Sequence, residues 1–105
     1  MGSYRTVQRT TITVGAATPV KIIDGTLTGH AGWRVFNSTV ASLQFKLVDA
    51  GGAAPALADF NGASGYPDFE NISSGDVIED GCRGGDVYCL SLSGTVSVIA
   101  QRLML

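Results

Sequence analysis

The residues able to do chemistry are few. His30 is the single histidine, and Cys82 and Cys89 are the only cysteines. Nucleophilic catalysis needs a Ser or Cys beside a base, with a third group orienting that base. No Ser or Cys stands in such a motif around His30, which reads as a loop histidine. Cys82 and Cys89 lie seven positions apart, a spacing that fits no zinc site. They read as free thiols, although the Gly84-Gly85 turn could fold one back beside the other as a disulfide. Asp68 with Glu70, and Asp76 with Glu79 and Asp80, could offer oxygen ligands to calcium. They lack the spacing and the glycine of a calcium loop and read as a solvated acidic rim. Glycoside cleavage also uses paired carboxylates, whose separation cannot be read from a sequence. The Gly-x-Gly fragments neither follow a strand nor open a helix, so no phosphate cradle is expected. The expectation is a non-enzyme with no cofactor and no metal.

What must position these groups is a set of short strands. Ser42 to Val48 is the clearest, with Leu43, Phe45 and Leu47 pointing one way and Ser42, Gln44 and Lys46 the other. That alternation puts one face on a core and one in water. Arg5 to Val14 is a Thr-rich first strand with a loose arm at 1–5 ahead of it, and Val20 to Asp24 follows Pro19 as a second. Gly25 to Gly32 is expected as a loop carrying His30. Trp33 to Asn37 is the third strand, with Trp33 and Val35 on one face and Arg34 and Phe36 on the other. Both faces are partly apolar, one suited to the opposite sheet and one to a partner chain. Asn37-Ser38-Thr39 supplies a turn, and Ser42–Val48 is then the hairpin partner.

Residues 49–67 form a long surface loop, with Leu57, Phe60 and Tyr66 as its anchors and an Ala-rich piece fit for one helical turn. Phe69 to Ile78 reads as two short strands about a Ser73-Ser74-Gly75-Asp76 turn. Val87–Leu92 and Thr95–Leu103 read as a hairpin about Ser93-Gly94, with Tyr88 and Leu90 inside. About seven or eight short strands make an all-β chain, a single antiparallel β-sandwich or jelly-roll-like barrel spanning 1–105.

Length and composition agree. A chain of 105 residues supports one core, and 45% apolar residues are enough to fill it. Charge is unevenly spread: residues 49–86 hold eight acids against Arg83, a net −7, while residues 1–48 hold five cations against Asp24, a net +4. No Lys/Arg cluster is present to neutralise phosphates, so nucleic acid is not expected as a partner. No apolar leader opens the chain and no run is long enough for a membrane span, so no membrane is expected either.

In outline the chain resembles the small all-β virion proteins of tailed phages, the head decoration or cement type. The resemblance lies in the Thr-rich first strand followed by Thr18-Pro19-Val20-Lys21-Ile22, and in Trp33-Arg34-Val35-Phe36-Asn37 ending before a short turn. It continues in Ile72-Ser73-Ser74-Gly75-Asp76 and in Gly85-Asp86-Val87-Tyr88-Cys89-Leu90-Ser91 ahead of the last strand. The 49–67 loop and the apolar tail after Arg102 are untypical. The resemblance implies a non-enzymatic structural protein on the virion capsid surface, assembled in the host cytoplasm. Its partners would be the major capsid protein and copies of itself. The alternative is a carbohydrate- or receptor-binding β-sandwich module of a head fibre or tail.

Contact residues are expected in three places. Arg5 and Arg9 on the opening strand could meet the acidic 49–86 loops of a neighbour, which suits a ring such as a trimer. Trp33 and Phe36 on the third strand, with Phe60 and Tyr66 in the long loop, are aromatic candidates. Leu103, Met104 and Leu105 leave no face of the tail for water and read as a docking patch.

Overall fold

The computed structural model describes residues 5–26, 30–37, 42–61, 65–70, 77–79, 85–92 and 94–104. It contains β1 (Arg5–Val14), β2 (Val20–Ile23), β3 (His30–Asn37), β4 (Leu43–Val48), α1 (Ala58–Asn61), β5 (Phe69–Glu70), β6 (Val77–Glu79), β7 (Asp86–Ser91) and β8 (Val96–Met104). His30 begins β3 rather than lying in a loop. Two four-stranded sheets have the orders β1-β8-β3-β6 and β2-β7-β4-β5, and every pairing is antiparallel.

The pairing is nested. β1 meets β8, β2 meets β7, β3 meets β6 and β4 meets β5. The chain is thus one long two-stranded ribbon, folded over so that its halves face each other. Two further seams, β3 with β8 and β4 with β7, complete the sheets. This strand order is that of a jelly roll.

The nesting corrects two expected hairpins: β3 and β4, and β7 and β8, lie in opposite sheets. The same holds for β5 and β6, expected as neighbours about a turn. A short Gly/Ser turn serves a sheet-to-sheet corner as well as it serves a hairpin. Gly94, at φ 90, makes such a corner between β7 and β8. Backbone bonds from Ser91 N to Gly15 O (3.0 Å) and from Leu92 N to Ser42 O (2.8 Å) hold neighbouring corners together.

The inner faces form one core. Val14, Trp33, Val35, Val98 and Ala100 come from the first sheet, and Ile22, Ile23, Leu43, Phe45, Val87 and Cys89 from the second. Trp33, with no exposed surface, bridges the layers, its ring centroid 5.4 Å from that of Phe45 and 5.9 Å from that of Phe69. Such ring pairs add about 0.5–1.5 kcal/mol each beyond area burial. Leu43, Phe45 and Leu47 face this core as their alternation requires. β7 departs from expectation: Val87 and Cys89 fill the sandwich, and Tyr88 and Leu90 face the other way.

Candidate interaction surface

The two sheets present different outer faces. On the second sheet the part of that face around Tyr88 and Leu90 is covered. The 49–68 excursion lays Phe60 against Tyr88, Leu90 and Val48. One turn of helix places Phe60, closed by Asp59 N to Ala56 O and Phe60 N to Leu57 O, both 3.0 Å. The Asp59 carboxylate reaches back to accept the Ala56 N–H at 2.7 Å, as a capping residue does. Gly65 closes the excursion against this helix. A Cβ there would run into the Ala58 carbonyl and the Asp59 backbone. The returning chain is pinned by Asp68, whose amide donates to Phe45 O at 2.8 Å and whose carboxylate accepts the Leu47 N–H at 2.7 Å. Lys46 Nζ donates to Tyr66 O at 2.8 Å. Under this cover Gln44 is only 7% exposed, although its position in β4 reads as solvent-facing.

The outer face of the first sheet is open among the described residues. Register aligns Arg9, Gln101 and Arg34 in one row and Thr11, Ile99 and Phe36 in the next. Arg9 and Thr11 are exposed, and Arg34, Phe36, Ile99 and Gln101 are half-buried. The Arg9 guanidinium lies 4.6 Å over the Phe36 ring and that of Arg34 lies 5.9 Å from it. Cations over an aromatic face attract by about 0.5–1 kcal/mol when exposed. The result is a pre-ordered patch: two cations, an aromatic ring and an aliphatic side chain on rigid strands. Its chemistry suits a carboxylate-bearing protein surface.

The polar interior holds a different kind of arrangement. Asp86 is fully buried at the start of β7, where its Oδ1 accepts Gly25 N–H at 2.8 Å and its Oδ2 accepts Gly51 N–H at 3.1 Å. Arg102, 4% exposed, donates from Nη1 to Asp24 O at 2.9 Å. Asp24 accepts at Oδ1 from the Thr26 hydroxyl (2.7 Å) and amide (3.0 Å), and these bonds hold its carboxyl below the usual carboxylate range. The Asp86 and Arg102 bonds each tie a connection to a strand, and the Asp24–Thr26 bonds shape the corner after β2. Cys89 is a free, buried thiol, and desolvation pushes its pKa up to about 12. Among the described residues no group of three His, Cys, Asp or Glu is placed to hold a metal ion. No helix among them is long and apolar enough to cross a membrane.

Of the expected contact residues, Arg9 and Phe36 are brought together. Tyr66 is 76% exposed on the returning part of the excursion. Arg5 begins β1 opposite Met104, which is half-buried. Trp33, Phe60 and Leu103 are withdrawn from any contact surface: Trp33 bridges the sheets, Phe60 anchors the excursion and Leu103 is buried within β8. Leu57 and Tyr66, expected as anchors, are exposed instead. Leu105, Cys82, Asp76 and Asp80 lie outside the described residues. Reasoning from sequence missed Arg34, Gln101 and Ile99 as part of the patch. Arg34 shares the Phe36 face by simple alternation, but Gln101 and Ile99 join it only through the β3–β8 register. Comparison with family models, curated proteins and solved structures finds no match for this chain.

Proposed function

We propose that the chain is a non-enzymatic structural virion protein that docks on a tailed-phage head and links subunits of the major capsid protein. The observation that carries this reading is the contrast between the two outer faces. One has its apolar part, Tyr88 and Leu90, covered by the chain's own excursion, while the other keeps Arg9, Arg34 and Phe36 stacked together with no segment of the described residues laid over them. A jelly roll is a scaffold used by capsid proteins and lectins alike, so the fold supports the reading only as analogy. The sequence resemblance to head decoration proteins adds to it. On this reading the open patch meets an acidic surface of the shell, and the protein works at the capsid exterior after assembly in the host cytoplasm.

Co-sedimentation with purified phage heads tests this. The full chain should pellet with heads, and Arg9→Glu combined with Phe36→Ala should leave it in the supernatant with its melting curve intact. Pelleting that is indifferent to both substitutions would remove the patch from the interface. The exposed Tyr66 ring favours a second reading, a glycan- or receptor-binding module, since a bare aromatic face can stack on a sugar. Retention on immobilised glycans that is lost in Tyr66→Ala, with no pelleting on heads, would select that reading instead.

A further inference from the structure

Sheet edges carry unpaired N–H and C=O groups, and folded proteins blunt them with short strands, proline, charge or bulges. Three of the four edges here are short. β2 has four residues and follows Pro19, β5 has two and follows Pro67 closely, and β6 has three. β1 is the exception. It has ten residues and, among the described residues, pairs with β8 alone. A bulge between Val7 and Arg9 leaves Arg9–Val14 as an unbroken run, Arg-Thr-Thr-Ile-Thr-Val, free of proline and glycine. Such a run has high strand propensity. Its one charge is turned away from the edge, because the Arg9 guanidinium reaches across β8 to lie over Phe36 on β3.

A second observation falls at the same edge. A cleft of about 150 Å³ opens where β1 and β2 part, with Thr10 and Ile12 on one wall and Ile22 and Ile23 on the other. Ile12 is only half-buried there. The sandwich is therefore unsealed along the one long unpaired strand, and a strand laid beside β1 would cover Ile12.

We propose that Arg9–Val14 is a self-association edge on which β1 of a second copy pairs antiparallel about a two-fold axis. The two first sheets then run together as one continuous sheet. The occupant is a second copy because the segment is complementary to itself. With the axis at Ile12, the outward Thr11 of each copy would meet Thr13 of the other across the seam, a favourable cross-strand pair. Ile12 of each copy aligns on the inner side, and no charge faces a like charge once Arg9 has folded onto Phe36. An isologous contact of this kind closes at two copies, where the charge pattern alone suggested a ring. It needs no shell, so it stands or falls apart from the docking reading.

Sedimentation equilibrium of the full chain tests the proposal. A monomer–dimer equilibrium is expected, with a dissociation constant on the order of micromolar for so small an interface. Thr11→Lys with Thr13→Lys sets like charges across the seam and should weaken association by about tenfold or more at an unchanged melting temperature. Single cysteines placed at Thr10, Thr11, Ile12 and Thr13 should give a cross-linked dimer at the position on the two-fold axis, while Ser97→Cys on β8 should not. A monomer at all concentrations up to about 1 mM overturns the proposal. So does a trimer, or a dimer that resists the lysine pair and cross-links at none of the four positions. Should the lysine variant fail to fold, the cysteine series decides alone.

Discussion

Lys21 Nζ lies 3.2 Å from Asp86 Oδ2, an ion pair in which the carboxylate is wholly buried and 40% of the lysine side chain is exposed. The same carboxylate accepts the amides of Gly25 and Gly51. One side chain thus ties the corner after β2, the excursion after β4 and the start of β7. Asp86→Ala strands two amide donors, and loss of a buried acceptor of this kind costs about 2–4 kcal/mol. Urea denaturation checks this, and a loss below about 1 kcal/mol would mean that water replaces the carboxylate.

The pair also sets an alkaline limit. The hydrogen bond to Asp86, and then its charge, raise the Lys21 pKa above its ordinary value, against a smaller opposing effect of desolvation. A raised native pKa gives stability that is complete below the unfolded value, about 10.4, and is lost as pH climbs through the native one. Asp24 is the converse case. Its lowered pKa gives stability present above the ordinary carboxylate value and lost as pH falls through the native one. Melting temperatures measured across pH should show both limbs. Lys21→Met should flatten the alkaline limb alone, and Asp24→Asn should shrink the acid one.

Phe45 has no exposed surface and touches Trp33 in the middle of the sandwich. Phe45→Ala should cost about 3–5 kcal/mol, while Tyr66→Ala, at an exposed side chain, should stay within about 0.5 kcal/mol. Equal losses at the two sites would contradict the placement of the core.

Leu103 is fully buried, and β8 runs past it to Met104. Leu103 therefore belongs to the fold rather than to a free docking patch. Leu103→Ala should lower stability by about 2–5 kcal/mol. A variant that melts like the parent yet no longer associates would return the tail to the contact surface.

The Cys89 thiol, pushed up to about 12 and enclosed by the core, should resist alkylation in the folded state. Mass spectrometry of native protein treated with iodoacetamide should find position 89 unmodified until denaturant is added. Rapid native labelling there would show that the core opens at β7.

The parts of this architecture legible in the sequence are those written in one strand at a time. Leu43, Phe45 and Leu47 alternate because one face of β4 meets the core, and Trp33 and Val35 separate from Arg34 and Phe36 for the same reason. Pairing was not legible, since a Ser-Gly pair such as Ser93-Gly94 suits a hairpin turn and a sheet-to-sheet corner equally. Nor was the facing of β7, where Val87 and Cys89 look into the sandwich and Tyr88 and Leu90 look toward Phe60. A strand buried on both sides loses the alternation that would orient it. The Arg9–Phe36 contact escaped for another reason: it joins strands separated by β8, and only sheet order brings them into reach.

The nested ribbon also dictates when the molecule can exist. β8 sits between β1 and β3, so β1 has no sheet partner until β8 has been made. Until then β3, which carries Trp33 and Val35, has only the three-residue β6 beside it. The nascent chain must therefore carry an apolar, unpaired sheet half until β8 is made, and pairings so distant in sequence fold slowly.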